Sequence, residues 1–183
     1  MLQRRCRAAW PPLRSLAELC ALLEAPKRLV SVREWKMVNA QLRLAAALEI
    51  DGIVSAGLSF EATVAAEYPD ENVTLMLHAF IKQKPRPFAR IDWLTKAHPN
   101  VHRYCGPLRY MDAGRSHFHD TRLHVDIDFD ELFFGKLNLP CARALDPEPP
   151  NFTELLVISS QLLHIENLQE IQIPPWQPRN FTA

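Results

Sequence analysis

The chain has 183 residues, of which 48% are hydrophobic and 23% are charged, as in an ordinary globular protein. This length predicts one domain, with a core large enough that folding requires neither a disulfide nor a metal. The 15 prolines against 5 glycines favour stiff connections over flexible linkers, and the apolar runs are too short to cross a membrane.

The N-terminal segment is basic. Residues 1–14 contain four arginines and no acidic residue, and the apolar run that follows is too short and interrupted for a signal peptide. We predict that residues 1–14 are disordered and that residues 15–183 form a single α+β domain. A transit peptide is the alternative for the N-terminal segment.

The four cysteines are far apart in the sequence. They are Cys6, Cys20, Cys105 and Cys141, and they include no C-x-x-C pair. This spacing argues against a disulfide framework and against a cysteine-rich zinc site. We therefore expect reduced thiols, which are typical of a cytoplasmic protein.

Two helices are predicted, one near each end of the domain. Ser15 and Glu18 have the spacing of a capping box, leucines then recur at helical intervals, and Pro26 ends the element. Asn151 and Glu154 open a second helix in the same way. Each helix has one apolar face, which has to be buried against a sheet.

Alternating apolar residues predict four strands, over 41–50, 54–64, 73–81 and 88–94. We expect an antiparallel meander with both helices packed on one of its faces, which is an α+β fold. Residues 125–130 alternate in the same way and predict a further strand with a solvated aspartate face.

The turns of the meander follow from keeping apolar residues on one face. A three-residue loop that pairs Ile50 with Val54 keeps the first two strands in phase. The turn at 68–71 then aligns Ala66 with Val73. Residues 82–87 are predicted as a basic loop, and an extended tail after residue 173 is expected to lie back on the sheet.

The charge is zero overall but unevenly distributed. Residues 82–122 contain nine lysines and arginines against three acidic residues, together with most of the histidines. A positive segment beside histidines suits a phosphate-bearing ligand. The alternative is that these cations pair with the acidic residues of the last third of the chain.

Residues 116–126, here called the histidine segment, contain three of the seven histidines. His117 and His119 are two residues apart, so in a strand they project from the same face. His124 has the opposite parity. Only a reversal of the chain with an even loop around 121–122 brings it back to that face.

Such a hairpin would place His119 opposite His124 and His117 opposite Asp126, which makes a cluster of imidazoles and a carboxylate. A helical segment would instead align His117, Asp120 and His124. Either cluster suits a divalent transition metal, or metal-free acid–base chemistry on a phosphodiester. The alternative is that these histidines are structural and hydrogen-bonded to the backbone.

A second, looser set consists of His98, His102 and Cys105. Pro99 opposes the continuous helix that would align the two histidines, so these residues alone do not predict a metal site. They can join the histidine segment only if their loop, within residues 95–116, folds over it.

The hypothesis that follows is a small cytoplasmic enzyme or binder that acts on a phosphate-containing or nucleic-acid ligand. His117, His119 and His124 would be acid–base groups or metal ligands, and Asp126 would assist them. The arginines expected to contact phosphate are Arg90, Arg115 and Arg122. The alternative is a non-enzymatic interaction module, of antitoxin, inhibitor or assembly type, that presents residues 82–122 to an acidic protein partner.

Overall fold

The computed structural model describes residues 13–135 and 137–177, which form an antiparallel sheet and three α-helices. The strands are β1 (Arg28–Val30), β2 (Lys36–Val38), β3 (Gln41–Ile50), β4 (Ile53–Ala65), β5 (Val73–Ile81), β6 (Lys84–Trp93), β7 (His117–His119) and β8 (Arg143–Ala144). The α-helices are α1 (Leu16–Glu24), α2 (Phe129–Phe134) and α3 (Phe152–Leu163). Short 3-10 helices cover Arg103–Leu108, Thr121–His124 and Leu168–Glu170.

The predicted meander and the α+β class are confirmed. The strand order is β1-β3-β4-β5-β6-β7-β8, every pairing in it is antiparallel, and β2 shares the outer edge of β3 with β1. The buried leucines of α1 and the buried face of α3 belong to the same apolar core as the sheet. Helices from both ends of the domain therefore cover one face of the meander.

Both predicted helices begin at the predicted caps. The Ser15 hydroxyl accepts from the Glu18 amide, and the Glu18 side chain reaches back to the Ser15 amide, which completes the capping box of α1. The Asn151 side chain accepts from the Glu154 amide at the start of α3. The described helices are all too short or too polar to cross a membrane.

The predicted loop between β3 and β4 is wrong. Ile50 pairs with Ile53 and not with Val54, so the turn has two residues. That register turns Ser55 onto the apolar face, where it is buried. A bulge restores the phase, because Leu48 pairs with Ser55 whereas the preceding residue, Ala47, already pairs with Ser59.

The structure also differs from the sequence predictions at the next two turns of the meander. Val73 pairs with Val64 and not with Ala66, a shift of two residues that leaves the buried faces unchanged. The predicted basic loop 82–87 is also wrong. Only Lys82 and Gln83 form the turn, both with positive φ, and β6 already begins at Lys84.

Two further expectations fail. Residues 125–130 are not a strand, because Asp128 accepts from the amides of Asp130 and Glu131 and thereby caps α2. Cys105 and Cys141 are joined in a disulfide, whereas Cys20 is a free thiol as expected. The predicted disorder of residues 1–14 falls almost wholly outside the described residues.

The C-terminal tail lies back on the sheet as predicted. The Gln177 amide donates to the carbonyl oxygen of Ala66, the residue that follows β4. The ring of Trp176 packs edge-on against Phe152 of α3, with 5.7 Å between the ring centroids.

A buried lysine closes the C-terminal end of α1. Lys27 is 1% exposed, and its ammonium donates to the carbonyl oxygens of Leu22, Leu23 and Ala25 at 2.6–2.8 Å. These carbonyls have no partner within the helix, so the lysine takes the place of a polar cap. Burial lowers the pKa of this ammonium to about 7, whereas the three acceptors favour its charged form.

Replacement of this lysine should cost much more stability than replacement of an exposed one. We expect Lys27→Met to lower the free energy of unfolding by about 2–3 kcal/mol, because buried carbonyls lose charged donors. The matched control is Lys82→Met, since Lys82 forms an exposed ion pair with Asp130 and should lose less than about 1 kcal/mol. Urea denaturation of the three proteins measures the difference, and equal losses would contradict the capping role.

Candidate metal centre

The pairing of β6 with β7 builds the candidate site. In this register Asp92 lies opposite His117, and Arg90 lies opposite His119. Residues two apart share a face of a strand, and directly opposed residues have β-carbons about 5 Å apart. Four polar side chains of the two strands therefore meet on one face.

His98 joins these side chains from the loop between β6 and β7. Its amide donates to the carbonyl oxygen of Gly114, and its carbonyl oxygen accepts from the amide of Ala113, so the two arms of the loop pair here. The His98 ring consequently lies against those of His117 and His119, with centroid separations of 5.2 and 4.7 Å. The His117 and His119 rings are 5.0 Å apart.

The three rings each have one nitrogen fixed by the backbone. The contacts to main-chain carbonyl oxygens are His98 Nε2 with Pro140 at 3.0 Å, His117 Nδ1 with Gly114 at 3.0 Å and His119 Nδ1 with Leu139 at 2.7 Å. A carbonyl oxygen only accepts, so we assign the ring proton to that nitrogen in each histidine. The other nitrogen keeps its lone pair.

The three histidines can converge on one metal ion. One ligand nitrogen from each lies within 4.8 Å of the others. His117 and His119 are buried, whereas His98 is half-exposed, so solvent reaches the cluster from the His98 side. We call His98, His117 and His119 the histidine triad.

A buried carboxylate borders the triad. Asp92 Oδ2 lies 3.3 Å from His117 Nε2 and 3.4 Å from His119 Nε2, and it accepts from Arg90 Nε at 2.8 Å. Its other oxygen accepts from the Thr74 hydroxyl at 2.8 Å. Burial alone would raise the pKa of Asp92, but the Arg90 guanidinium and the Thr74 hydroxyl hold it below its usual range.

Arg90 also contacts the triad directly. One of its terminal nitrogens lies 2.6 Å from His119 Nε2. Because a guanidinium only donates, His119 Nε2 is the acceptor. The contact agrees with the tautomer that the Leu139 carbonyl requires. Burial lowers the pKa of His119 to about 4, so the ring is neutral at pH 7.

The predicted hairpin in the histidine segment is wrong. After His119 the chain enters the 3-10 helix Thr121–His124, capped by the Asp120 side chain, and does not reverse on itself. His124 donates from Nδ1 to the Asp120 carbonyl oxygen at 2.9 Å and accepts at Nε2 from the Cys141 amide at 3.1 Å. Both of its nitrogens are thus used by the backbone, as in the structural alternative.

The other predicted site residues lie apart from the triad. Asp126 is exposed on the connection to α2. Arg115 donates to the carbonyl oxygens of Leu94 and Thr95, and Arg122 pairs with Asp120. Of the three arginines expected to contact phosphate, the structure brings only Arg90 to the triad.

The loop that carries the second predicted set does fold over the histidine segment, but it contributes only His98 to the triad. His102 accepts from the Tyr104 amide, and its ring lies against the Tyr104 ring. Cys105 is in the disulfide. Asp92 was not predicted as a site residue. The sequence shows that Asp92 and Arg90 are two residues apart and therefore share a face of their strand. It does not show that β7 is the partner strand that places both beside the histidines.

Comparison of this chain with protein-family models, curated proteins and solved structures finds no match. The geometry of the site is therefore the basis for the functional proposal that follows.

The burial of His124 should make stability depend on pH. Burial lowers its pKa to about 4, so between pH 6.5 and 4 the folded chain binds fewer protons than the unfolded chain. Stability is therefore full above pH 6.5 and declines as the pH falls to 4, with about 3 kcal/mol from this residue.

His124→Gln keeps one donor and one acceptor but does not titrate. The free energy of unfolding should decrease between pH 7 and pH 4 in both proteins. We expect the decrease to be about 3 kcal/mol smaller in the variant than in the wild type. Urea denaturation at the two pH values measures this, with His102→Gln as the control on a half-exposed ring. An unchanged pH dependence in His124→Gln would rule out this residue as the source.

Proposed function

We propose that the histidine triad binds a divalent transition metal, with zinc as the first candidate. The observation that supports this most is the fixed orientation of three imidazoles, each with one nitrogen held by a backbone carbonyl. Metal-binding histidines have this outer-shell arrangement, because it sets both the tautomer and the ring direction. Imidazole nitrogens are preferred ligands of zinc and of its neighbours in the first transition row.

The distances support a tetrahedral ion after a small closure of the rings. Nitrogens at about 2.1 Å from zinc lie about 3.4 Å from one another in a tetrahedron. Asp92 Oδ2 lies at 3.3 and 3.4 Å from two of the ligand nitrogens, so it borders the fourth position, which a ligand oxygen could take. Its ionised carboxylate would offset part of the metal charge.

Metal-free acid–base catalysis has less support. A general base works best when its pKa lies near the working pH, whereas burial lowers the pKa of His119 to about 4. In addition, the lone pair of this ring is already occupied by Arg90. The same low basicity is no obstacle to metal binding, because a ligand histidine has to be deprotonated.

Arg90 indicates the class of ligand that such a metal would take. When His119 Nε2 binds the ion, it can no longer accept from Arg90, and one face of the guanidinium is released beside the metal. A guanidinium next to a metal favours an anion with several oxygens. Phosphate fits, because one of its oxygens can bind the metal while others accept from the guanidinium. We therefore propose a phosphate-containing ligand, a nucleic acid among them, whose phosphoryl oxygen the metal would polarise.

The alternative of an interaction module built on residues 82–122 has weaker support. Several of its cations have partners within the chain: Lys82 bonds to Asp130, Arg122 to Asp120, and Arg86 lies over the ring of Phe134. Such charges are less available to an acidic protein partner. We also propose a cytoplasmic location, where the Cys105–Cys141 disulfide would be one of few.

Zinc binding can be tested with a matched pair of histidines on one loop. We expect the wild type to bind one zinc ion, and His98→Ala to bind it about 100-fold more weakly because one of the ligands is lost. His102→Ala is the control, because this half-exposed ring lies four residues away and outside the triad. Elemental analysis and competition with a chromophoric chelator measure stoichiometry and affinity. Equal affinities for the two variants would contradict the proposed ligand set.

Arg90 can be tested by two effects of opposite sign. Arg90→Gln should bind zinc on the order of tenfold more tightly, because the guanidinium no longer competes for His119. The zinc-loaded variant should bind inorganic phosphate about tenfold more weakly, because a charge-assisted hydrogen bond is lost. Calorimetry measures both, with Arg115→Gln as the control. A variant that binds phosphate as tightly as the wild type would remove Arg90 from the ligand contacts.

A further inference from the structure

Two ligand histidines are oriented by one short segment outside the sheet pairing of β6 and β7. The carbonyl oxygen of Leu139 accepts from His119, and that of the next residue, Pro140, accepts from His98. The amide of the third residue, Cys141, donates to His124. We call residues 139–141 the orienting segment, because its backbone sets the direction of two rings of the triad.

The orienting segment is covalently linked to the loop that carries His98. Cys141 forms a disulfide with Cys105, which lies in the 3-10 helix of that loop. The side chain of Asn100 strengthens the link, because it donates to the carbonyl oxygen of Ala142 and accepts from its amide, both at 2.8 Å. His98 and the Pro140 carbonyl that orients it are therefore connected twice. One connection is their hydrogen bond, and the other is the covalent path through Cys105, the disulfide and Cys141.

The disulfide is placed where it can alter the triad. Cys141 is fully buried and directly follows Pro140, so any displacement of its sulfur is transmitted to the carbonyl bonded to His98. Two thiols cannot approach as closely as bonded sulfurs, so reduction removes the covalent link between the loop and the orienting segment and moves the two sulfurs apart. His117 is oriented by Gly114 and not by the orienting segment.

We propose that the Cys105–Cys141 pair is a redox control on the metal affinity of the triad, an inference that rests on the proposed function. A cellular thiol reductant, such as a dithiol, transfers two electrons and two protons to the disulfide. The S–S bond breaks, two thiols form, and the dithiol becomes a disulfide. The loosened segment orients His98 and His119 less well, and the metal binds more weakly.

The size of the effect follows from the role of the orienting groups. Loss of outer-shell partners typically weakens metal binding by about 10- to 100-fold. Because reduction loosens the orienting segment without removing it, we expect the lower end, about tenfold. By linkage, saturation with zinc has to make the disulfide harder to reduce by the same factor.

The test uses the full chain with zinc as the probe. The variant Cys105→Ser/Cys141→Ser represents the reduced state without any reductant in solution, and Cys20→Ser is the matched control on a free cysteine. Chelator competition should give about tenfold weaker binding for the double variant and unchanged binding for the control. Wild-type protein reduced with a phosphine, then freed of it under nitrogen, gives the same comparison without a substitution.

The outcomes separate this inference from the proposal beneath it. Zinc bound equally well by the oxidised and reduced chains, or more tightly by the reduced one, overturns the redox control and leaves the metal centre in place. Oxidised protein that binds no zinc overturns both. The second readout is the thiol–disulfide equilibrium against glutathione at fixed free zinc, which should shift about tenfold towards the disulfide when zinc is bound. A merely structural disulfide would show no such shift.

Discussion

The antiparallel pairing of β6 with β7 is the constraint on which the candidate site depends. This ladder contains only three residue pairs, yet it sets Asp92 against His117 and Arg90 against His119. A slip by one residue would turn these side chains to the opposite face of the sheet and separate the carboxylate from the imidazoles. The core-facing pair between them, Ile91 with Phe118, is fully buried and holds the register.

The same ladder explains why a charge is tolerated inside the fold. An isolated buried carboxylate is costly, and Asp92 is stabilised because donors from two strands reach its oxygens. The Thr74 hydroxyl donates from β5 and the Arg90 guanidinium from β6 itself, while the His117 and His119 rings of β7 lie beside the carboxylate. Removing either donor leaves the carboxylate short of partners, so this polar network and the sheet that surrounds it have to form together.

Sequence reasoning succeeded where the determining contacts are local. The capping box at Ser15, the N-cap at Asn151 and the alternation of the meander involve near neighbours in the chain, and the structure contains the elements that they predicted. It failed where distant segments decide. The parity of His117 and His119 was right, but the partners across the sheet come from β6, more than twenty residues earlier, and not from the residues that follow. His98 reaches the triad only because its loop closes on Gly114, which alternation does not encode.

The arrangement of short strands at the margins of the sheet has a consequence for association between molecules. The outer side of β3 is covered at one end by β2 and at the other by β1, and in the gap between them the Arg33 amide donates to the Ala45 carbonyl oxygen. At the opposite margin, β8 has only two residues. Long unpaired strand edges template the addition of further chains and lead to fibrous aggregates. The short strands described at these two margins limit such growth along the hydrogen-bonding direction of the sheet.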